Sequence, residues 1–170
     1  CVADTLKKEP NLDWSPAIIG ICKAFELEII ERFVDSLKEL SSSLTFTETD
    51  LKDKDFGRVT SYCAGKAVKS PELGVISHFI TTALNSKDRI ESSNFLKESF
   101  KPFLLRRPNS TWLTDKKALL TSFETLKKNY RNRAAHTDEL NKVDYENCKQ
   151  LVFGDTGIMW ELIISTQTIK

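Results

Sequence analysis

The chain has 170 residues, 29% of them charged, and its 25 Lys and Arg balance 24 Asp and Glu to leave a formal charge of +1. That length suits one domain whose core buries roughly 70% of the unfolded surface, and near neutrality excludes polyanion binding by bulk charge, so any nucleic-acid case must come from local clustering. The longest apolar runs fall well short of the ~20 residues a membrane span requires, which reads as a soluble, cytoplasmic chain.

Cys1, Cys22, Cys63 and Cys148 form no Cys-x-x-Cys pair and have no closely spaced His. They argue against zinc and read as buried thiols of a reducing compartment. Asn109-Ser110-Thr111 matches the glycosylation acceptor pattern, but no secretory segment accompanies it, so it reads as a chance match. A start on Cys1 rather than Met suggests a piece of a larger protein, with a processed lipoprotein as the lesser alternative.

Residues 1–14, polar and containing Pro10, read as a linker, and 15–170 as a single helical domain. Ser15-Pro16 opens the first helix, Ser as N-cap and Pro at the first helical position. Ile18, Cys22, Phe25, Ile29, Phe33, Leu37 and Leu40 follow in steps of three and four, predicting a helix of roughly 25 residues and ~38 Å. Residues 44–56 show no period and read as a loop with some irregular structure, with a short helix expected over 58–68. Ser70-Pro71-Glu72 repeats the cap pattern before a stripe of Ile76, Phe79 or Ile80, and Ala83 or Leu84. His78 lies beside that stripe, without an Arg or carboxylate at useful spacing, and reads as a polar residue at a helix boundary.

Ser92 or Ser93 begins a further helix closed by Arg106-Arg107-Pro108, the two arginines reading as solvated charge. Thr114-Asp115 caps the next. Asn141 caps another that runs through Val143, Tyr145, Cys148, Leu151 and Val152 to a stop at Gly154. Residues 158–164 are ambiguous by period, and Asp155-Thr156 ahead of them favours a short helix. Trp14, Trp112 and Trp160 lie in separate segments and read as packing residues rather than base-stacking platforms. The sum is an all-α bundle of five to seven helices.

The chemically suggestive stretch closes the helix that starts after Asp115. Its apolar stripe is Leu119, Phe123, Leu126 and Tyr130, and at ~100° per residue Arg131, Asn132, Ala135 and His136 fall off that stripe. Asn132 and His136, four apart, share a face on which an amide can position an imidazole or a phosphate. Lys116, Lys117, Lys127, Lys128, Arg131 and Arg133 face only Asp115 and Glu124 over 115–133, a local excess able to bind a polyanion.

Arg131-Asn132-Arg133-Ala134-Ala135-His136 resembles the signature of the HEPN domains of prokaryotic defence and toxin systems: Arg, a polar residue that is often Asn, several more positions, then His, late in a long helix of an all-α bundle. The long helix from Ser15 and the helix from Asn141 after the motif are similar to the family's arrangement. The resemblance implies a metal-independent, cofactor-free endoribonuclease, active as a homodimer whose two motifs meet across one cleft. It also implies service as the effector domain of a larger antiviral or toxin protein. Arg131, Asn132 and His136 would be catalytic, with Arg133, Lys127, Lys128 and Tyr130 contacting RNA; Lys127 and Lys128 also read as a solvated face. A catalytically inactive helical dimerisation or scaffold module of the same fold is the alternative.

The residue types suit RNA cleavage by 2′-hydroxyl attack. Histidine, with an ordinary pKa of ~6.5, can take or give a proton near neutrality. The guanidinium of Arg131 would hold the phosphate as negative charge develops. On an ideal helix Arg131 and His136 are ~140° apart, which requires a distortion near the helix end, a long reach by Arg131, or two-fold pairing.

Overall fold

The computed structural model describes residues 12–136 and 139–168, and these are helical with no strand among them. The predicted all-α architecture is observed, with more helices among the described residues than the five to seven expected, because single turns and short helices fill the connections. Helix α1 spans residues 15–40 in three collinear pieces, Ser15–Ile29, a π-wound Ile30–Asp35, and Ser36–Leu40. Its predicted stripe is buried from Ile18 to Leu37, and Leu40 is half-buried. The start differs from expectation in one respect. Trp14 holds the N-cap position without a side-chain bond, Ser15 is already helical, and the Asp13 carboxylate accepts from the Ser15 amide (2.9 Å) and hydroxyl (2.6 Å). A carboxylate two residues upstream thus takes over the capping that Ser15 was expected to supply.

The π winding follows from the stripe. A step of four residues advances an α-helix by ~400°, overshooting a full turn by ~40°. Ile29, Phe33 and Leu37 take two such steps in succession, and the wider i→i+5 winding over Ile30–Asp35 absorbs the overshoot so that all three stay in the core. The same coincidence recurs twice. Phe95, Ser99 and Phe103 are buried four apart across the π-wound Leu96–Phe100, and Leu126, Tyr130 and Ala134 step likewise across the π-wound Leu126–Arg131.

Residues 44–56 hold more order than expected. Thr47 and Asp50 form a reciprocal capping box on the single turn α2 (Glu48–Leu51). The expected short helix is α3 (Phe56–Cys63), starting two residues earlier than predicted. Helix α4 (Leu73–Asn85) begins after Ser70-Pro71 rather than at it, with Glu72 at its N-cap and no side-chain bond. A short α5 (Lys87–Ser92) precedes α6, residues 94–105, where the Ser93 hydroxyl accepts from the Leu96 amide (3.0 Å) as the predicted start. Arg107 is not the solvated charge expected after α6. It is buried, donating to the carbonyls of Thr166 (3.0 Å) and Phe103 (3.1 Å) while its guanidinium lies 3.7 Å from the Phe103 ring centre.

After the single turn α7 (Thr111–Thr114), α8 covers residues 116–135, and α9 (Lys142–Phe153) and α10 (Ile158–Thr166) complete the fold. The expected caps are present at Asp115 and Asn141, the latter in a capping box with Asp144. Gly154 ends α9 as predicted, though not through a left-handed backbone: a Cβ there would sit 2.4 Å from the Gln150 carbonyl oxygen. The core joins two aromatic groups. Phe100 and Phe103 meet Phe33 edge to face, as Phe100 does Phe79, with Phe33 and Phe79 tilted against each other, between α1, α4 and α6, and Phe25, Phe123 and Trp112 interlock edge to face between α1, α8 and α7. Cys22, Cys63 and Cys148 are buried free thiols, as the sequence suggested; Cys1 lies outside the described residues. Trp160 departs from its expected packing role and is 53% exposed. No described helix is long and apolar enough to cross a membrane.

Candidate functional site

Helix α8 positions the motif by burying its other face. The Asp115 carboxylate accepts from the amides of Lys117 and Ala118, fixing the first turn, whose neighbours lean on α4. Leu119, Phe123, Leu126 and Ala134 then turn into the core, and the second half of the helix lies against α1 and α9. Tyr130 sits half-buried at the edge of the stripe. Burial raises its phenol pKa, with the neighbouring Cys148 and Asp144 acting in the same direction.

Arg131 leaves the helix toward α1. Its Nε lies 3.2 Å from Oε1 of Glu26, whose side chain is 10% exposed against 37% for the arginine. The Glu26 oxygen receives no aligned hydrogen bond, so the contact is ionic, two opposite charges held close with the N–H aimed elsewhere. Lys23 approaches the other Glu26 oxygen at 3.6 Å from the exposed side. Arg131 and Lys127 line one cavity of about 240 Å³ together with Glu26, Asp55, Glu72 and Gly74. Lys127 is thereby drawn half into the fold beside the arginine, on the wall of a cleft rather than on a fully solvated face.

His136 closes the helix end outside that cleft. The α-helical winding stops at Ala135, and His136 is extended (φ −102°, ψ −169°), its amide donating to the Asn132 carbonyl at 3.1 Å. Its imidazole is exposed and makes no hydrogen bond or ion pair with the described residues. The ideal-wheel angle of ~140° to Arg131 therefore does not apply, because π winding precedes the pair and the helix ends before the histidine. Asn132 is half-buried beneath it. Arg133 turns to α9, where its guanidinium nitrogen lies 3.5 Å from Asp144 and 3.4 Å from the Asn129 carbonyl. Lys128 pairs with Glu124 at 2.6 Å on the exposed face. The fold thus gathers Arg131 and Lys127 into one cleft and leaves Asn132, Arg133, His136 and Lys128 outside it.

Two features escaped the sequence reading. Glu26 falls one residue after Phe25, inside the buried arc of α1, and an acid at a position bounded by Cys22, Phe25 and Ile29 was the signal that some cation must meet it. The second is a cluster around His78, which lies in the middle of α4 and not at its boundary. Its Nε2 is 3.8 Å from Asp53 and 3.3 Å from the Thr82 hydroxyl, and Arg89 approaches the same carboxylate at 3.5 Å. Burial works against ionisation of Asp53, yet the Phe56 and Asp55 amides, with Arg89 and His78, together hold its pKa below the usual carboxylate value. Only the folding back of residues 44–56 brings this carboxylate to the histidine, so spacing could not reveal it. Among the described residues no group of three or more His, Cys, Asp or Glu is placed to hold a metal ion.

No known family model matches the chain, and comparison with curated proteins and with solved structures yields no match either.

Proposed function

We propose that this chain is an endoribonuclease effector domain of the HEPN type, cutting RNA without a metal through attack of a 2′-hydroxyl, in antiviral defence or a toxin system. The observation that supports it best is the asymmetry at the end of α8: an exposed imidazole with no partner among the described residues, and five residues earlier an arginine opening into a cleft. An exposed imidazole is accessible to substrate. In the reaction, His136 removes the 2′-hydroxyl proton or protonates the 5′-oxygen. The 2′-oxygen bonds to phosphorus, the bond to the 5′-oxygen breaks, and the products are a 2′,3′-cyclic phosphate and a free 5′-hydroxyl. Arg131 neutralises charge on the five-coordinate phosphate, and Asn132 orients the imidazole or the phosphate once RNA is bound. One histidine serves one proton transfer at a time, so a homodimer bringing two motifs together supplies the second.

The test is purified protein incubated with single-stranded RNA in EDTA. The expected result is cleavage with cyclic-phosphate ends, falling about 10²- to 10⁴-fold in His136→Ala, with an unchanged melting temperature because the side chain is exposed. Unimpaired cutting by that variant would sink the assignment. Arg131→Lys is the better arginine variant, since it keeps a cation beside buried Glu26 while removing the planar fork.

The Arg131–Glu26 pair favours a second reading, an inactive scaffold module in which the arginine serves only to neutralise a buried acid and the end of α8 docks to other domains of a parent protein. Expression separates the two. Toxicity relieved by His136→Ala supports the nuclease, and harmless expression with wild-type RNA left intact supports the scaffold.

A further inference from the structure

A second cavity of about 420 Å³ lies where α2 and α3 meet the segment ahead of α4, and its wall includes Lys52, Lys54, Arg58 and Lys69. Glu72 and Val75 belong both to this wall and to that of the Arg131 cleft, so the two hollows adjoin, with Glu72 on the wall of each. Both guanidinium groups, Arg58 from one side and Arg131 from the other, act on the Glu72 carboxylate, whose pKa is lowered first by its bond to Lys69 and further by these arginines.

The charges along the groove are unequally occupied. Asp53 is taken by two backbone amides and by Arg89, Glu26 by Arg131 and Lys23, and Glu72 by Lys69 at 3.0 Å. Lys52, Lys54 and Arg58 are exposed and have no hydrogen-bond or ion-pair partner among the described residues. The floor is uncharged: Gly57 presses so close to Leu51 that a Cβ would lie 2.7 Å from the Leu51 carbonyl oxygen, and Val75 is buried beside it. Unoccupied cations over an apolar floor suit a chain that alternates anionic phosphates with flat rings.

We infer that this groove is the track for single-stranded RNA, running from Lys52, Lys54 and Arg58 past Glu72 to Arg131. This rests on the nuclease reading for its choice of polyanion. Glu72 is the carboxylate common to both hollows and Asp55 stands on the wall beside Arg131, so these two acids oppose a phosphate on its way to the arginine.

The experiment measures binding without cleavage, by anisotropy of a fluorescent 2′-O-methyl oligouridylate that cannot undergo 2′-hydroxyl attack. Lys54→Glu with Arg58→Glu is expected to weaken binding by about tenfold or more and to flatten the salt dependence. Glu72→Gln is expected to tighten it. Lys97→Glu with Lys101→Glu, on α6 and outside both walls, changes net charge equally and controls for bulk electrostatics. Equal weakening by both pairs, no effect of the first pair, or wild-type protein that ignores the oligonucleotide and binds polyglutamate each overturns the inference. A chain that binds through Lys54 and Arg58 yet never cuts RNA defeats the nuclease reading alone, and active nuclease whose binding ignores these residues defeats the groove alone.

Discussion

Asp50 is a carboxylate with 0% exposure, and it survives there because four donors surround it. Its oxygens accept from the Thr47 amide and hydroxyl (2.8 and 2.9 Å), the Ser93 hydroxyl (2.5 Å) and the Phe95 amide (3.3 Å), tying α2 to the start of α6. Asp50→Ala strands those donors and is expected to cost about 3 kcal/mol, read as a lower urea midpoint. Arg131 and Glu26 follow the same logic with a different balance. Arg131→Ala leaves a buried carboxylate with only the exposed Lys23 nearby and is expected to cost about 2 kcal/mol, discounted for the arginine's partial exposure. Arg131→Ala combined with Glu26→Gln should recover most of that stability, and failure to recover it would mean that the arginine contributes by packing rather than by charge. Asp50, an isolated acid in an aperiodic stretch, was not legible in the sequence, whereas Glu26 carried a signal by its place inside an apolar stripe but not the identity of the partner across the fold.

At the scale of the helices, starts marked by an acid or amide that reaches forward behaved as read. Asp115 and Asn141 each accept from amides two or three residues on, and Asp115→Ala is expected to lose about 1 kcal/mol in equilibrium unfolding. The Ser-Pro signals at Ser15 and Ser70 misplaced the starts by one and two residues, since Pro fixes φ without saying which neighbour supplies the acceptor. Stripes were legible because apolar spacing is a property of one segment alone, and the predicted core of α1 and α8 is the observed one. The π-wound turns were present in the same data as consecutive four-residue steps. Two of the three lie away from Arg131 and His136, so core registry accounts for them without appeal to function. What the spacing could not supply was the direction of each polar side chain at the end of α8, which depends on α1 and α9 offering Glu26 to Arg131 and Asp144 to Arg133.

For the molecule as a whole, the buried Cys63 thiol sets an alkaline limit. Burial pushes the Cys63 thiol up to about 12, whereas in the unfolded chain a thiol titrates near ~8.5. Between those values the unfolded chain has released a proton that the native state keeps, so the unfolded state binds fewer protons and stability falls as pH rises. Urea midpoints should decline from pH ~8.5 upward, less steeply in Cys63→Ala, and native protein should resist alkylation at Cys63 and Cys148 until it unfolds. Cys148 is shifted the same way, first by its hydrogen bond with Cys22 and then by burial.

The chain's two ends of interest are also mechanically joined. Asp13 and Trp14 grip the backbone of Leu140 from both sides, the Asp13 carboxylate accepting its amide at 3.2 Å and the Trp14 amide donating to its carbonyl at 2.8 Å, while the Trp14 ring rests 4.8 Å from that of Tyr145. The clasp closes a loop of the chain, holding the entry to α1 and the residue ahead of the Asn141 cap as one unit, so Asp13→Ala is expected to speed amide hydrogen exchange at Ser15 and Leu140 together.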